Sequence, residues 1–343
     1  MASTSFSQPS SGVVVQRVLY GVLAIAVLLG LFALDATIAQ RMDELGGPVS
    51  RLLRRGSVLP VLFATLLTMA AFELRRLLLA TGARPCFGFA CLMIVVITLT
   101  PWVSASGLSV PKPDDGFRWQ FIWLAVSVAG ACLLIILRRR TDGTFRDLSA
   151  TLLMIAYLGL LGSFGVQLRC SMLTHVADGA WLLLAVVLIT KCADIGGFFV
   201  GSAIGRHKLI PSVSPGKSIE GTIGGMVFSG LAAMLLAYVP SIVLGSETAW
   251  ESGSSLTRIA NLFAPPFGIS PPPSLVRAFL FGAILAIVGL MGDLIESCFK
   301  RDAGSKDSGK ILPRFGGILD LIDSPLLAMP VAWFLLAVIW EVI

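Results

Sequence analysis

The sequence predicts an all-α polytopic membrane protein with about nine transmembrane helices. Of its 343 residues, 56% are hydrophobic and only 13% are charged, and the mean hydropathy is +0.88. Soluble domains are roughly 45–50% apolar, and an uncharged run of about 18 or more residues is long enough to cross a bilayer. Several runs along this chain approach or exceed that length, so membrane crossings account for most of it.

The spans follow one another along the chain. Six clear uncharged runs occupy residues 18–34, 85–111, 119–137, 148–168, 221–246 and 324–340. Two shorter runs, 57–72 and 278–292, become spans if their polar ends lie at the membrane interface. A further candidate, about residues 179–205, contains Lys191 and Asp194. The short and charged segments leave a range of roughly seven to ten spans.

Basic residues are distributed unequally between the two sides of the membrane. With nine spans, the side that holds the N-terminus collects 16 of the 26 basic residues, the other side has nine, and Lys191 lies within a span. Cytoplasmic loops carry the excess of Lys and Arg. The N-terminus is therefore predicted to be cytoplasmic, together with the charged loops near residues 206–217 and 300–314.

The densest cluster of charge runs from Gly292 to Ser324. Asp293 and Glu296 are three residues apart, and Asp320 and Asp323 repeat this spacing at the start of the last span. On a helix this spacing places both carboxylates on one face. Two such pairs on neighbouring antiparallel helices offer the hard oxygen ligands that Mg²⁺ prefers, and carboxylates inside a membrane are seldom without a role. The alternative is helix pairing through carboxylate–lysine bridges.

Groups that bind phosphate lie between the two carboxylate pairs. Basic side chains there can neutralise phosphate oxygens; they are Lys300, Arg301, Lys306, Lys310 and Arg314. Gly316 and Gly317 would expose N–H groups where a helix begins, which is an anion site. An ordinary flexible turn is the alternative for these two glycines.

A second polar cluster precedes the first. Asp194 and the glycines after it interrupt a span, a pattern typical of a polar cavity. The loop 214–221 then leads into a helix, and its polar members are Ser214, Lys217, Ser218 and Glu220. The alternative for this loop is a capping arrangement in which Ser218 is the helix cap. His207 fits the role of a loop residue better than that of a general base. The glycine spacing of a Walker A loop is absent.

Other charged or reactive residues fit structural roles. Glu73, next to Arg75 and Arg76, is interpreted as part of an interfacial ion pair. The cluster Arg138–Arg140 is typical of contact with anionic lipids, and the net charge of +6 is not interpreted as nucleic-acid binding. The six cysteines form no C-x-x-C pair and are typical of small buried apolar residues. With two histidines, a histidine-rich metal centre is excluded.

The charged C-terminal residues resemble the signature of the phosphatidate cytidylyltransferases (CDP-diacylglycerol synthases), approximately S-x-x-K-R-x4-K-D-x-G-x2-[LIF]-P-x-H-G-G-x-x-D-R-x-D. The chain matches it at Ser297, Lys300, Arg301, Lys306, Asp307, Ser308, Gly309, Leu312, Pro313, Gly316, Gly317, Asp320 and Asp323. The likeness covers about residues 180–343 in detail and the earlier spans in hydropathy only. Phe315 and Leu321 replace the signature His and Arg, so no role of those two positions transfers here.

The resemblance implies an enzyme of a bacterial inner membrane that converts CTP and phosphatidate to CDP-diacylglycerol and pyrophosphate. Mg²⁺ is the implied cofactor, and a second, monovalent cation and a homodimer stay open. Residues 1–16 would form a mobile tail, 17–178 a scaffold of about five spans, and 179–343 a catalytic region of about four spans whose site faces the cytoplasm.

The resemblance also implies roles for individual residues. The expected metal ligands are Asp293 and Asp320, with Asp323 and Glu296 as further or supporting groups. The expected phosphate-clamping and catalytic residues are Lys217, Lys300, Arg301, Lys306 and Asp307. The expected substrate-binding residues are Asp194, Ser214, Ser218, Glu220, Arg314, Gly316 and Gly317. Alternative functions are a CTP-dependent transferase on an isoprenoid or polyprenol phosphate, an anion transporter, and a non-catalytic relative.

Overall fold

Nine helices long and apolar enough to cross a membrane lie in the part of the chain that the structure, a computed structural model, describes. The described residues are 11–45, 47–106, 116–138, 141–170, 178–244, 275–305, 308–309 and 316–339. The candidate spans are Ile25–Leu45, Val58–Ala80, Phe87–Ala105, Arg118–Leu137, Thr144–Cys170, Asp178–Ile204, Ile219–Tyr238, Leu275–Asp302 and Ile318–Ile339. The predicted all-α polytopic fold is confirmed, and the nine candidate spans among the described residues agree with the predicted number.

Seven helices are described up to residue 170, and all of them except the short second one belong to the first five spans. They are α1 (Ser11–Leu45), α2 (Pro48–Leu53), α3 (Val58–Ala80), α4 (Phe87–Ala105), α5 (Gly116–Leu137), α6 (Thr144–Met154) and α7 (Leu161–Cys170). A π-helical segment, Ile155–Leu160, joins α6 to α7, so that both belong to one span. The sequence predicted a tail up to residue 16, but α1 already begins at Ser11; residues 1–10 lie outside the described part.

The described part of the C-terminal region contains four long helices and a small hairpin, where the sequence predicted a loop. Its elements are α8 (Asp178–Ile204), β1 (Lys208–Ile210), β2 (Ser214–Ser218), α9 (Ile219–Leu244), α10 (Leu275–Asp302) and α11 (Ile318–Phe334), followed by a π-helical segment, Leu335–Ile339. The two strands pair antiparallel. Since β2 ends where α9 begins, the hairpin fixes the direction in which Lys217 enters the bundle.

Small residues bring the C-terminal helices close together. A Cβ atom added to Gly225 on α9 would lie 2.8 Å from the carbonyl oxygen of Ala193 on α8. One added to Gly282 on α10 would overlap the carbonyl oxygen of Ser229 on α9, and one on Gly292 would overlap that of Asp323 on α11. Backbone therefore packs against backbone where these helices meet, and larger side chains at the three glycines would separate them.

Two buried apolar clusters hold the bundle together. The first includes Leu59 of α3, Leu183 of α8, Phe281 of α10 and Met329 of α11. The second includes residues of α3, α4, α6, the π-helical segment and α11, such as Leu74, Ile94, Leu158 and Leu319. Helices α3 and α11 contribute to both clusters. The last helix is thus packed against both halves of the chain, which determines where its two aspartates lie.

Candidate active site

A cavity of about 550 Å³ lies among α8, α9, α10, α11 and β2. Its polar lining consists of Lys191, Asp194, Lys217, Ser218, Thr222, Asp293, Glu296, Lys300, Asp320, Asp323 and Ser324. Phe198, Ala286 and Leu290 are among its apolar lining residues. Charged and apolar walls in one cavity suit an amphiphilic ligand with a charged head group.

Three carboxylates meet in this cavity. Asp293 and Glu296 of α10 and Asp323 of α11 each offer an oxygen within 4.8 Å of the others. Glu296 and Asp323 are 1% and 5% exposed. The three-residue spacing on α10 puts the first two on one face, as predicted, and the close approach of α10 to α11 at Gly292 brings the third beside them.

The donor set fits a divalent cation. Glu296 Oε1 is buried and has no hydrogen-bond partner among the described residues, although a buried polar atom ordinarily has one. Carboxylate oxygens are the ligands that Mg²⁺ prefers, and a cation would compensate three negative charges held so close together. Asp293, Glu296 and Asp323 are therefore the residues that would hold it.

Asp320 makes a different set of contacts from these three. Its Oδ1 lies 2.7 Å from Lys300 Nζ, and its Oδ2 accepts hydrogen bonds from Gly317 N at 2.7 Å and from Ser308 Oγ at 2.8 Å. Lys300 Nζ also lies 2.9 Å from Glu296 Oε2. Asp320 thus lines the cavity and is joined to Glu296 through Lys300, and its expected role as a main metal ligand stays a prediction.

Lys217 extends from β2 into the cavity. Its Nζ lies 2.6 Å from Asp293 Oδ2. Ser218, which follows it, is 4% exposed, and its hydroxyl accepts a hydrogen bond from Gly221 N at 3.1 Å. Ser218 therefore caps α9, the alternative considered from the sequence, while it also lines the cavity.

The interrupted span places a charged pair in the same cavity. Lys191 Nζ lies 3.2 Å from Asp194 Oδ2, and Ser324 Oγ of α11 lies 3.5 Å from Asp194 Oδ1. Asp194 therefore lines the cavity, as predicted. Lys191 was not selected from the sequence; the signal that could have found it is a lone lysine inside an apolar span.

Other predicted residues lie at the edge of the cavity or outside it. Glu220 accepts hydrogen bonds from the backbone N–H groups of Arg206 and His207 and lies 2.6 Å from His207 Nδ1, so it stabilises the hairpin and does not line the cavity. Ser214 is also absent from the lining.

Arg301 is exposed and donates from Nε to the carbonyl oxygen of Val213 at 3.3 Å. Lys306, Asp307, Arg314 and Phe315 lie outside the described residues.

The structure corrects the expectation of free N–H groups after Gly316. Gly317 N donates to Asp320 Oδ2, while Ile318 N and Leu319 N donate to the Glu73 carboxylate at 3.0 and 2.9 Å. Protein carboxylates already occupy the N-terminus of α11, so a phosphate would have to displace them. Gly316 has a φ of 88°, which favours glycine.

Glu73 is the main residue that sequence reasoning assigned to another role. It was expected in an interfacial ion pair, yet it is 1% exposed and binds the start of α11. The ion pair was expected because the neighbouring Arg75 and Arg76 are potential local partners of the Glu73 carboxylate. The signal that could have found it is a glutamate within an apolar helix.

Comparison with known proteins identifies relatives along most of the chain. The family model described as the cytidylyltransferase family matches residues 48–339. The phosphatidate cytidylyltransferase of Chlamydia pneumoniae is 31% identical over 237 residues, which cover 68% of this chain and 67% of that protein. The phosphatidate cytidylyltransferase of Staphylococcus aureus (strain COL) is 29% identical over 291 residues, which cover 83% of this chain and 92% of that protein. That of Mycobacterium leprae is 31% identical over 194 residues, covering 57% of this chain but only about half, 51%, of that protein.

Proposed function

The chain belongs to the cytidylyltransferase family, and on that premise we propose that it is a phosphatidate cytidylyltransferase. It would transfer the cytidylyl group of CTP to phosphatidate and yield CDP-diacylglycerol and pyrophosphate. The observation that carries the proposal is the convergence of a carboxylate cluster and three lysines in one cavity with apolar walls. Two relatives whose names state this activity match two thirds or more of the chain.

The proposed reaction exchanges one phosphate ester linkage for another. A phosphate oxygen of phosphatidate attacks the α-phosphorus of CTP, forming a new P–O bond. The bond from the α-phosphorus to the bridging oxygen of the β-phosphate breaks, and pyrophosphate leaves with that electron pair. Since a phosphate monoester has a second pKa of about 6, the attacking group is largely ionised at neutral pH and needs no strong base.

The lysines supply the positive charge that this reaction requires. Lys191, Lys217 and Lys300 reach the cavity from α8, β2 and α10. Ammonium groups held at fixed positions neutralise phosphate oxygens and hold the two reactants in line, which lowers the barrier by positioning and by electrostatic stabilisation. Each of these lysines is paired with a carboxylate, so a bound phosphate would share or replace that partner.

The carboxylate cluster would hold Mg²⁺. When bound there, the ion supplies further neutralisation of phosphate charge. Asp293, Glu296 and Asp323 provide the oxygens, and Lys300 holds Glu296 Oε2 so that Oε1 is left for the cation. The buried position of Glu296 and Asp323 limits competition from water.

The apolar side of the cavity suits a lipid substrate. Phe198 lines the cavity and is 71% exposed on the outside of the bundle. Acyl chains could therefore stay in the bilayer while the phosphate reaches the charged groups. We further propose that this end of the bundle faces the cytoplasm, where CTP is present.

The test is pyrophosphate release by the purified protein in detergent with CTP, Mg²⁺ and one lipid at a time. Phosphatidate, a polyprenyl phosphate and a lipid-free reaction form the three arms. Asp293→Asn is compared with Asp142→Asn, because Asp142 is exposed and does not line this cavity. We expect release with phosphatidate that Asp293→Asn abolishes and Asp142→Asn preserves.

Other results would redirect the assignment. Release with the polyprenyl phosphate alone would keep the chemistry and change the lipid. A folded protein that releases no pyrophosphate in any arm would contradict the proposed enzyme, and anion uptake into proteoliposomes would then be measured.

A further inference from the structure

Glu73 of α3 binds the N-terminus of α11 from the opposite half of the chain. Its Oε1 accepts a hydrogen bond from Ile318 N at 3.0 Å, and its Oε2 accepts one from Leu319 N at 2.9 Å. The side chain is 1% exposed. A carboxylate at a helix N-terminus satisfies N–H groups that have no partner within the helix and is favoured by the helix dipole.

The space around this contact is filled by Glu73 itself. A Cβ atom added to Gly309 or to Gly317 would overlap the Glu73 carboxylate. One on Gly317 would also overlap Ser308 Oγ. Gly309 and Gly317 therefore approach the Glu73 carboxylate more closely than residues with a side chain could.

A continuous series of polar contacts leads from Glu73 to the carboxylate cluster. Glu73 Oε2 lies 3.3 Å from Ser308 Oγ, which lies 2.8 Å from Asp320 Oδ2. Asp320 Oδ1 lies 2.7 Å from Lys300 Nζ, and that nitrogen lies 2.9 Å from Glu296 Oε2. The single Ser308 proton can bond one carboxylate at a time, and the shorter distance favours Asp320. Glu73 is then fixed mainly by the two backbone N–H groups.

We propose that Glu73 is a positioning residue of the active site, acting through α11 and Lys300 on the carboxylates that would bind the cation. By fixing the first turn of α11, it sets where Asp320 and Asp323 lie relative to α10. By fixing Asp320, it holds Lys300 against Glu296 Oε2 and leaves Glu296 Oε1, which has no partner among the described residues, for the cation. This role depends on the proposed function, because it assumes that the cluster binds the cation used with CTP.

A second buried carboxylate provides the matched control. Asp35 is 0% exposed, and its Oδ1 accepts hydrogen bonds from Val58 N at 2.9 Å and Leu59 N at 3.1 Å, at the start of α3. It also pairs with Arg169. Asp35 therefore makes the same kind of helix-capping contact as Glu73. It lies at the opposite end of α3 from Glu73, away from the cavity.

The experiment compares Glu73→Gln, Glu73→Ala and Ser308→Ala with Asp35→Asn in the full chain. Two quantities are measured on folded protein: kcat at saturating CTP and phosphatidate, and the Mg²⁺ concentration that gives half of the Mg²⁺-dependent rise in thermal midpoint. Loss of a group that orients metal ligands typically costs about 10–100-fold in metal affinity or activity. We expect a loss in that range for Glu73→Ala, smaller losses for Glu73→Gln and Ser308→Ala, and unchanged values for Asp35→Asn despite a lower midpoint without Mg²⁺.

The outcomes separate this proposal from the proposed function. If the Glu73 variants lower the thermal midpoint as Asp35→Asn does but leave kcat and the half-saturating Mg²⁺ concentration unchanged, the positioning role is wrong. If Glu73→Ala does not fold, Glu73→Gln and Ser308→Ala decide the matter by the same two quantities. If the wild type releases no pyrophosphate but Glu73→Gln weakens the Mg²⁺ response, Glu73 positions the cation-binding carboxylates and it is the enzymatic assignment that fails.

Discussion

Lys217 Nζ lies 2.6 Å from Asp293 Oδ2, so the hairpin after α8 is joined to α10 across the cavity. Asp293 is also one of the three carboxylates that would hold a cation. A cation bound at Asp293 would replace Lys217 as the partner of that carboxylate. A phosphate bound at Lys217 would likewise replace Asp293 as the partner of the ammonium group. The pair can therefore keep both side chains in place before substrates arrive and release them to the ligands afterwards.

Replacing Lys217 with glutamine should reduce turnover strongly. Removing one group that stabilises developing charge costs about 10²–10³ in kcat, and we expect a loss of that size in kcat/KM for CTP with Lys217→Gln. Lys208→Gln is the matched control, because Lys208 is on the same hairpin, is exposed and does not line the cavity. Equal losses in the two variants would show that the hairpin needs positive charge in general and not Lys217 in particular.

Asparagine substitutions distinguish the cation-binding aspartates from Asp320. Asp293→Asn and Asp323→Asn each remove a charge from the group within 4.8 Å, and we expect both to abolish the Mg²⁺-dependent rise in thermal midpoint. Asp320→Asn keeps an oxygen for Ser308 or Gly317 but loses its ion pair with Lys300. For Asp320→Asn we expect the Mg²⁺-dependent rise in thermal midpoint to remain, but to require a Mg²⁺ concentration about 10–100-fold higher.

The reverse pattern would support the ligand pair expected from the sequence. If Asp320→Asn abolishes the Mg²⁺ response while Asp323→Asn preserves it, Asp320 is a direct ligand and α11 must rotate when the cation binds. The measurement is a Mg²⁺ titration of the thermal midpoint, with Asp142→Asn as the unaffected variant.

The parts of the site that local spacing determines could be predicted from the sequence. Asp293 and Glu296 share a face of α10 because they are three residues apart. Which aspartate of α11 joins them depends on how that helix is rotated. Asp320 bonds back to Gly317 N as the third residue of the helix, a capping contact, and reaches α10 only at Lys300, whereas Asp323 lies beside Asp293 and Glu296.

The contacts between distant parts of the chain could not be predicted. Glu73 and Ile318 are 245 residues apart, and no local pattern links them. The two arginines beside Glu73 suggested a nearby ion pair, which the buried position of Glu73 overrules. The nine spans could be predicted because bilayer thickness limits helix length. The packing of α3 against α11 could not, because it follows from side-chain shape along both helices.

Gly292 should tolerate no larger side chain, in contrast to Gly289 one turn earlier. A Cβ atom on Gly292 would overlap the carbonyl oxygen of Asp323, whereas one on Gly289 would make an ordinary contact of 3.5 Å with Ser324 Cβ. Overpacking costs about 1–3 kcal/mol, so Gly292→Ala should lower the free energy of unfolding by that amount and reduce the Mg²⁺ response. The gain in helix propensity is the same in Gly292→Ala and Gly289→Ala. The difference between their free energies of unfolding, measured by denaturant titration in detergent, therefore isolates the effect of the contact with Asp323. Equal stabilities would show that α10 and α11 separate without cost.

Cysteine labelling should place the cavity on the cytoplasmic side of the membrane. The excess of Lys and Arg on the side of the N-terminus predicts this orientation. In a chain with serine at its native cysteine positions, including the exposed Cys298, Asp142→Cys and Glu44→Cys report on opposite sides. Asp142 is exposed between the fourth and fifth spans, and Glu44 is exposed in the last turn of the first span. A maleimide that does not cross membranes should label Glu44→Cys in intact cells and Asp142→Cys only in inverted vesicles. The opposite pattern would place Lys217 and the carboxylates away from CTP, and cytoplasmic catalysis at this cavity would then be excluded.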